Sequence, residues 1–109
     1  MTEASKSRIE LLKQYIAEDP SDFFSQYALA LEYANEGNRA AAVSLLTKIL
    51  EKDTSYLPAY YQLGILHHQA GDIDKAKDAF GNGIPVAQQK RDMKTLSELR
   101  NALDALEDE

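Results

Sequence analysis

The segment YYQLGILHHQAGDIDKAKDAF, residues 60–80, carries the pattern that decides the fold. Apolar residues recur at helical spacing on both sides of Gly71 and Asp72, which predicts two helices joined by a short turn. Glycine commonly follows a helix in the left-handed conformation, and aspartate commonly caps the next helix. The segment therefore predicts a helix–turn–helix unit, in which Gly64 allows close approach of the two helices.

A second copy of this pattern lies earlier in the chain, in YALALEYANEGNRAAAVSLL, residues 27–46. Its turn glycine is Gly37, and we call the offset from Gly37 to Gly71 the repeat shift. Other identical pairs at the repeat shift are Tyr27 with Tyr61, Leu29 with Leu63, and Ala42 with Ala76. A helix pair that recurs at this offset, about 34 residues, is typical of tetratricopeptide repeats. On these two segments the chain resembles the tetratricopeptide repeat family.

The resemblance implies an all-α fold of about six helices. Antiparallel helix–turn–helix repeats would stack as a short right-handed α–α superhelix, because one helix pair cannot bury its apolar face alone. We expect one domain over residues 1–109. Its predicted parts are an N-terminal half-repeat helix (5–20), two repeats (23–56 and 57–90) and a C-terminal capping helix (92–107).

One segment of the second repeat departs from the family pattern. Residues 81–85, GNGIP, place two glycines and a proline inside the predicted fifth helix. Pro85 has no N–H to donate to the carbonyl of Gly81, and its ring would press on that carbonyl. The sequence therefore predicts a kink or a break of the fifth helix at Pro85.

Composition excludes several classes of protein. The 109 residues carry 18 acidic and 12 basic side chains, a net charge of −6, without the basic face that nucleic-acid binding needs. The absence of cysteine excludes disulfides, thiolate nucleophiles and cysteine zinc sites. No segment approaches the about 20 apolar residues of a membrane span, and the N-terminus lacks the apolar run of a secretory signal. We expect a cytoplasmic protein that binds neither nucleic acid nor membrane.

The adjacent histidines, His67 and His68, are not expected to form a metal site. Neighbouring helical residues point about 100° apart, whereas a helical zinc pair needs a spacing of three or four. His67 takes the position of Tyr33 in the first repeat and is expected to pack between helices. The chain also lacks a phosphate-binding glycine loop and a serine nucleophile elbow. We expect no cofactor, no metal and no enzymatic activity.

The family resemblance implies a protein–protein interaction module, which binds a peptide or helix in an apolar concave groove lined by first helices. The predicted partner-binding residues are Phe24, Tyr27, Leu31, Tyr61, Gln62, Ile65 and His68. Two alternatives remain at this point. Neighbouring helices or the C-terminal capping helix cover part of this surface, or a second copy of the chain buries this surface, or the exposed end of the N-terminal half-repeat, in a homo-oligomer. Relatives that clamp acidic chaperone tails have lysine, arginine and asparagine here. Because this chain lacks them, we expect no binding of such tails.

Overall fold

The computed structural model describes residues 2–108, which form six α-helices and contain no β-strand. The helices are α1 (Glu3–Glu18), α2 (Phe23–Asn35), α3 (Arg39–Lys52), α4 (Leu57–Gln69), α5 (Ile73–Lys90) and α6 (Met93–Glu107). The predicted all-α class and the number of helices are therefore confirmed.

Aspartate side chains begin α2 and α5, and the cap of α5 at Asp72 is the one that the sequence predicts. The Ser25 N–H donates to Asp22 Oδ1 at 3.0 Å, and the Lys75 N–H donates to Asp72 Oδ1 at 3.2 Å. Each carboxylate satisfies a backbone donor in the first turn that has no intrahelical acceptor. These caps fix where the two helices start.

Glycines close α2 and α4 in the predicted conformation. Gly37 has φ 82° and Gly71 has φ 81°, in the left-handed region that glycine adopts without steric cost. After α4 the Gly71 N–H donates to the His68 carbonyl and the Asp72 N–H donates to the His67 carbonyl, both at 2.9 Å. This is the bonding of a Schellman motif, and it turns the chain directly into α5.

Helix α5 continues through Pro85, so the alternative of a break there is wrong, and the alternative of a kink stays a prediction. Phe80 and Ala87, on either side of the proline, are buried at 3% and 0% exposure. Their packing holds both halves of the helix in place, and tertiary packing of this kind outweighs a local preference. Gly81, four residues before Pro85, has open space where its side chain would be.

The chain divides into two compact units, Met1–Lys52 and Asp53–Glu109. Unit 1 contains α1 to α3, and α2 packs against both α1 and α3. Its short connections make neighbouring helices antiparallel. The buried apolar residues of unit 1 are Ile9, Leu29, Ala30, Ala42, Leu46 and Ile49.

A polar cluster joins α1 to α2 within unit 1. Arg8 Nε donates to Glu32 Oε1 at 2.7 Å, and the buried Ser5 hydroxyl donates to Glu32 Oε2 at 3.0 Å. The hydrogen bond from Arg8 is the main cause that lowers the pKa of Glu32, and Ser5 adds to it. The charged bond fixes the register of the two helices.

Unit 2 contains α4 to α6, and α5 packs against both of the other helices. The ring of Phe80 lies over Gly64, which confirms Gly64 as a point of close approach. Tyr61 packs on Phe80 with ring centroids 5.8 Å apart. From α6, Leu99 and Leu106 complete this core at 0% and 1% exposure.

Candidate partner-binding surface

In unit 1 the predicted residues lie on one side of α2. Phe24, Tyr27 and Leu31 follow one another at steps of three and four, which places them on a common helix face. Phe24 is 76% exposed, and Tyr27 and Leu31 are half-buried. We call these three residues the α2 face. Its apolar surface is greatest at the start of the helix, directly after the Asp22 cap.

In unit 2 the predicted residues lie on α4 at Tyr61, Gln62, Ile65 and His68, and we call them the α4 face. Tyr61 and Ile65 are half-buried and pack against the core of unit 2. Gln62 is half-buried and His68 is exposed. The face therefore combines apolar groups held by the core with two polar side chains.

The two adjacent tyrosines of α4 have different environments. Tyr61 lies on the α4 face, whereas the Tyr60 hydroxyl donates to the Thr54 carbonyl at 2.6 Å. Burial, and secondarily the charge of Asp53, raises the pKa of Tyr60. Tyr60 therefore ties the turn before α4 to that helix. Sequence reasoning did not identify this role, and the adjacent tyrosines give no signal that would separate them.

His67 is half-buried, which is compatible with its predicted packing position. Burial lowers the pKa of His67, the positive charge of Lys75 lowers it further, and Asp72 opposes both. The fold therefore favours the neutral imidazole. A site that holds a histidinium cation would instead raise the pKa of the histidine.

The lowered pKa of His67 predicts a loss of stability on acidification. Between the lower folded pKa and the unfolded value of about 6.5, the unfolded chain binds more protons than the folded chain. The free energy of unfolding therefore falls as the pH is lowered through this window. In thermal melts from about pH 7.5 to 5.5, we expect His67→Gln to lose less stability than the unsubstituted protein. His68→Gln, which removes an exposed histidine, is the control; identical pH profiles for the His67→Gln and unsubstituted proteins would contradict the prediction.

Residues 2–108 contain no group of three histidine, aspartate or glutamate side chains placed to hold a metal ion. Among the same residues, no helix combines the length and the hydropathy that a membrane crossing needs. The α2 and α4 faces present aromatic and aliphatic groups with a few hydrogen-bonding side chains.

Comparison with known proteins gives a consistent result. The profile described as tetratricopeptide repeat matches residues 33–103, more than half of the chain. The solution structure of a tetratricopeptide repeat domain protein from Salinibacter ruber is 38% identical. That match covers 82% of this chain and 90% of the other, with a TM-score of 0.78.

Two further solved structures are similar. The solution structure of a protein from Bordetella parapertussis is 28% identical over 90% of this chain and 85% of its own, with a TM-score of 0.77. The crystal structure of MamA is 24% identical and matches 94% of this chain and 58% of its own, with a TM-score of 0.71. At this identity MamA supports the fold alone. No curated protein sequence matches the chain significantly.

Proposed function

The chain belongs to the tetratricopeptide repeat family, and from this premise we propose that it binds a peptide or helix of a protein partner through its α2 and α4 faces. The family fold supports a protein-interaction scaffold in general. The proposal adds the surface and its chemistry: apolar side chains on the first helix of each repeat supply the contact area.

Phe24 is the observation that carries this proposal. It is 76% exposed on a helix whose other large apolar residues are buried or half-buried. Aromatic residues that bury on binding dominate the energetics of protein interfaces. With Tyr27 and Leu31 on the same side of α2, Phe24 would insert into a partner and bring an apolar strip with it.

The α4 face supports the same kind of partner. The Tyr61 ring and the Ile65 side chain are held by the core of unit 2, so little conformational entropy is lost when they bind. Gln62 and His68 supply hydrogen-bonding groups beside them, which favour one orientation of the bound segment. Because the chain carries a net charge of −6, we expect a neutral or basic apolar segment and not an acidic chaperone tail.

The test compares Phe24→Ala with Met93→Ala, which also removes an exposed apolar side chain, from α6 instead of α2. Proteins captured by the unsubstituted chain would be identified, and the affinity of a purified partner would then be measured. We expect Phe24→Ala to weaken binding by about 5- to 30-fold, the effect of losing an interface anchor of about 1–2 kcal/mol. We expect Met93→Ala to bind normally. Equal affinities for the two folded variants would refute the assignment, and capture of only the chain itself would favour a homo-oligomer.

A further inference from the structure

Helix α1 has an apolar surface that unit 1 does not cover. Leu11 is 46% exposed and Tyr15 is 43% exposed, and their spacing of four places them on one side of the helix. Arg8 and Glu18 lie on the same side, one turn before Leu11 and one turn after Tyr15. We call these four residues the α1 outer face.

The repeat shows what covers the corresponding face elsewhere. At the repeat shift, Arg8 corresponds to Ala42 and Tyr15 to Ile49, which are both 0% exposed in α3. At twice that shift Arg8 corresponds to Ala76, also 0% exposed. In those pairs the first helix packs against the second, α2 on α3 and α4 on α5. Among the described residues no helix precedes α1, and Leu11 and Tyr15 of its outer face are exposed.

Arg8 changes the chemistry of that surface. A repeat helix of the α2 type packs closely against alanine at this position, and the guanidinium side chain leaves no room for the same approach. The Arg8 side chain is 56% exposed while its Nε is bound to Glu32. Glu32 therefore holds the guanidinium in place, and the guanidinium has further N–H donors for an acidic partner group. A helix that covers Leu11 and Tyr15 should present a carboxylate near Arg8.

Helix α1 itself meets this requirement. In an antiparallel pair of α1 helices with a two-fold axis at the level of residue 13 along the helix, Leu11 faces Tyr15 of the second copy and Arg8 faces its Glu18. The symmetry produces each contact twice. Helix α1 also carries three acidic and three basic residues, whereas the whole chain has a net charge of −6. The surface is thus locally neutral and self-complementary.

We propose that two copies of this chain associate through antiparallel pairing of their α1 outer faces. The apolar pair Leu11 and Tyr15 supplies the contact, and the Arg8–Glu18 pairs fix its antiparallel register. The α1 outer face shares no residue with the α2 face or the α4 face. Substitutions can therefore address the dimer and the proposed partner binding one at a time.

The first experiment measures self-association by analytical ultracentrifugation over about 10 µM to 1 mM, the range in which a small interface is expected to dissociate. We expect a concentration-dependent dimer. Glu18→Lys should weaken it at least about 10-fold, because two repulsive contacts replace two attractive ones. Glu10→Lys makes the same charge change on another side of α1 and should leave the dimer unchanged. A monomer throughout, or equal effects of the two substitutions, would overturn the proposal.

The second experiment tests the antiparallel register of the α1 pair by disulfide formation. Because the chain has no cysteine, only the introduced residues can form a disulfide. In the proposed pair, a mixture of Leu11→Cys and Tyr15→Cys chains should cross-link between the two variants faster than either variant alone. Self-linking of Leu11→Cys as the dominant product would indicate a different pairing and contradict the proposed one.

The dimer and the proposed function can fail separately. Phe24→Ala should leave the dimer intact while it weakens partner binding, and Glu18→Lys should do the reverse. A dimer that is lost with Phe24→Ala and retained with Glu18→Lys would place the self-association on the α2 face and reject the α1 pairing.

Discussion

Replacing Phe80 with alanine is expected to lower the free energy of unfolding by about 3–5 kcal/mol, as for other large buried aromatics. The ring is 3% exposed and lies in the core of unit 2, between Gly64 of α4 and the leucines of α6. Its removal would leave a cavity among α4, α5 and α6. Urea denaturation followed by helical circular dichroism measures the change, and a loss below about 1 kcal/mol would contradict this packing.

Gly64→Ala is expected to destabilise the unsubstituted protein but to stabilise the Phe80→Ala variant. In the unsubstituted protein an added Cβ would lie 2.5 Å from Cζ of the Phe80 ring, so overpacking opposes the gain in helix propensity. Without the ring, the same methyl group fills space and adds up to about 1 kcal/mol of helix propensity. We expect a coupling of about 1–3 kcal/mol between the two substitutions. Additive effects would refute the contact.

The corresponding pair in the first repeat has a larger residue on the first helix and a smaller one on the second. At the repeat shift, Gly64 corresponds to Ala30 and Phe80 to Leu46, both nearly fully buried. A larger residue on the first helix thus accompanies a smaller one on the second. Phe80→Leu combined with Gly64→Ala would give unit 2 the pair found in unit 1, and it is expected to be more stable than Phe80→Leu alone.

Local signals explain why the helix boundaries could be predicted. Gly37, Gly71 and the aspartate caps act through hydrogen bonds between residues three to five positions apart, and such contacts are visible in the sequence. The turn between α5 and α6 has an aspartate cap, because Asp92 Oδ1 accepts the Thr95 N–H at 3.1 Å, but it has no glycine. There Arg91 adopts φ 56°, a left-handed conformation that is uncommon for a residue other than glycine.

Contacts between distant residues could not be predicted from the sequence. The bonds of Ser5 and Arg8 to Glu32 span 27 and 24 residues, and helical periodicity contains no information about them. The continuity of α5 through Pro85 could not be predicted for a related reason, because the core contacts that hold the helix together come from α4 and α6.

The candidate site was accessible to prediction only through the family pattern. The repeat register places Phe24 and Tyr61 on equivalent helices, but it does not show that one is 76% exposed and that the other rests on Phe80. This difference decides which substitution tests binding without also changing the stability of the fold. Phe24 can be removed without loss of core packing, whereas removal of Tyr61 also disturbs unit 2. The binding role of both residues remains a prediction.

Gly83→Ala is expected to be less stable than Gly81→Ala by about 1–3 kcal/mol, although both place alanine in the interior of α5. A Cβ at Gly83 would lie 2.8 Å from Cβ of Tyr60 and 3.1 Å from Cδ1 of Leu99, whereas a Cβ at Gly81 meets no atom within 4 Å.

The contact at Gly83 involves Tyr60 Cβ, which moves only if α4 moves, and the Tyr60 hydroxyl is tied to the Thr54 carbonyl. Both substitutions gain about the same helix propensity, roughly 1 kcal/mol, so this gain cancels in their difference. Gly81→Ala should therefore raise the free energy of unfolding. The free energy of unfolding of Gly83→Ala should be lower than that of Gly81→Ala, and the difference should equal the strain at the contact with Tyr60. Urea denaturation of the two variants measures this difference, and equal stabilities would show that α4 and α5 do not approach each other closely at Gly83.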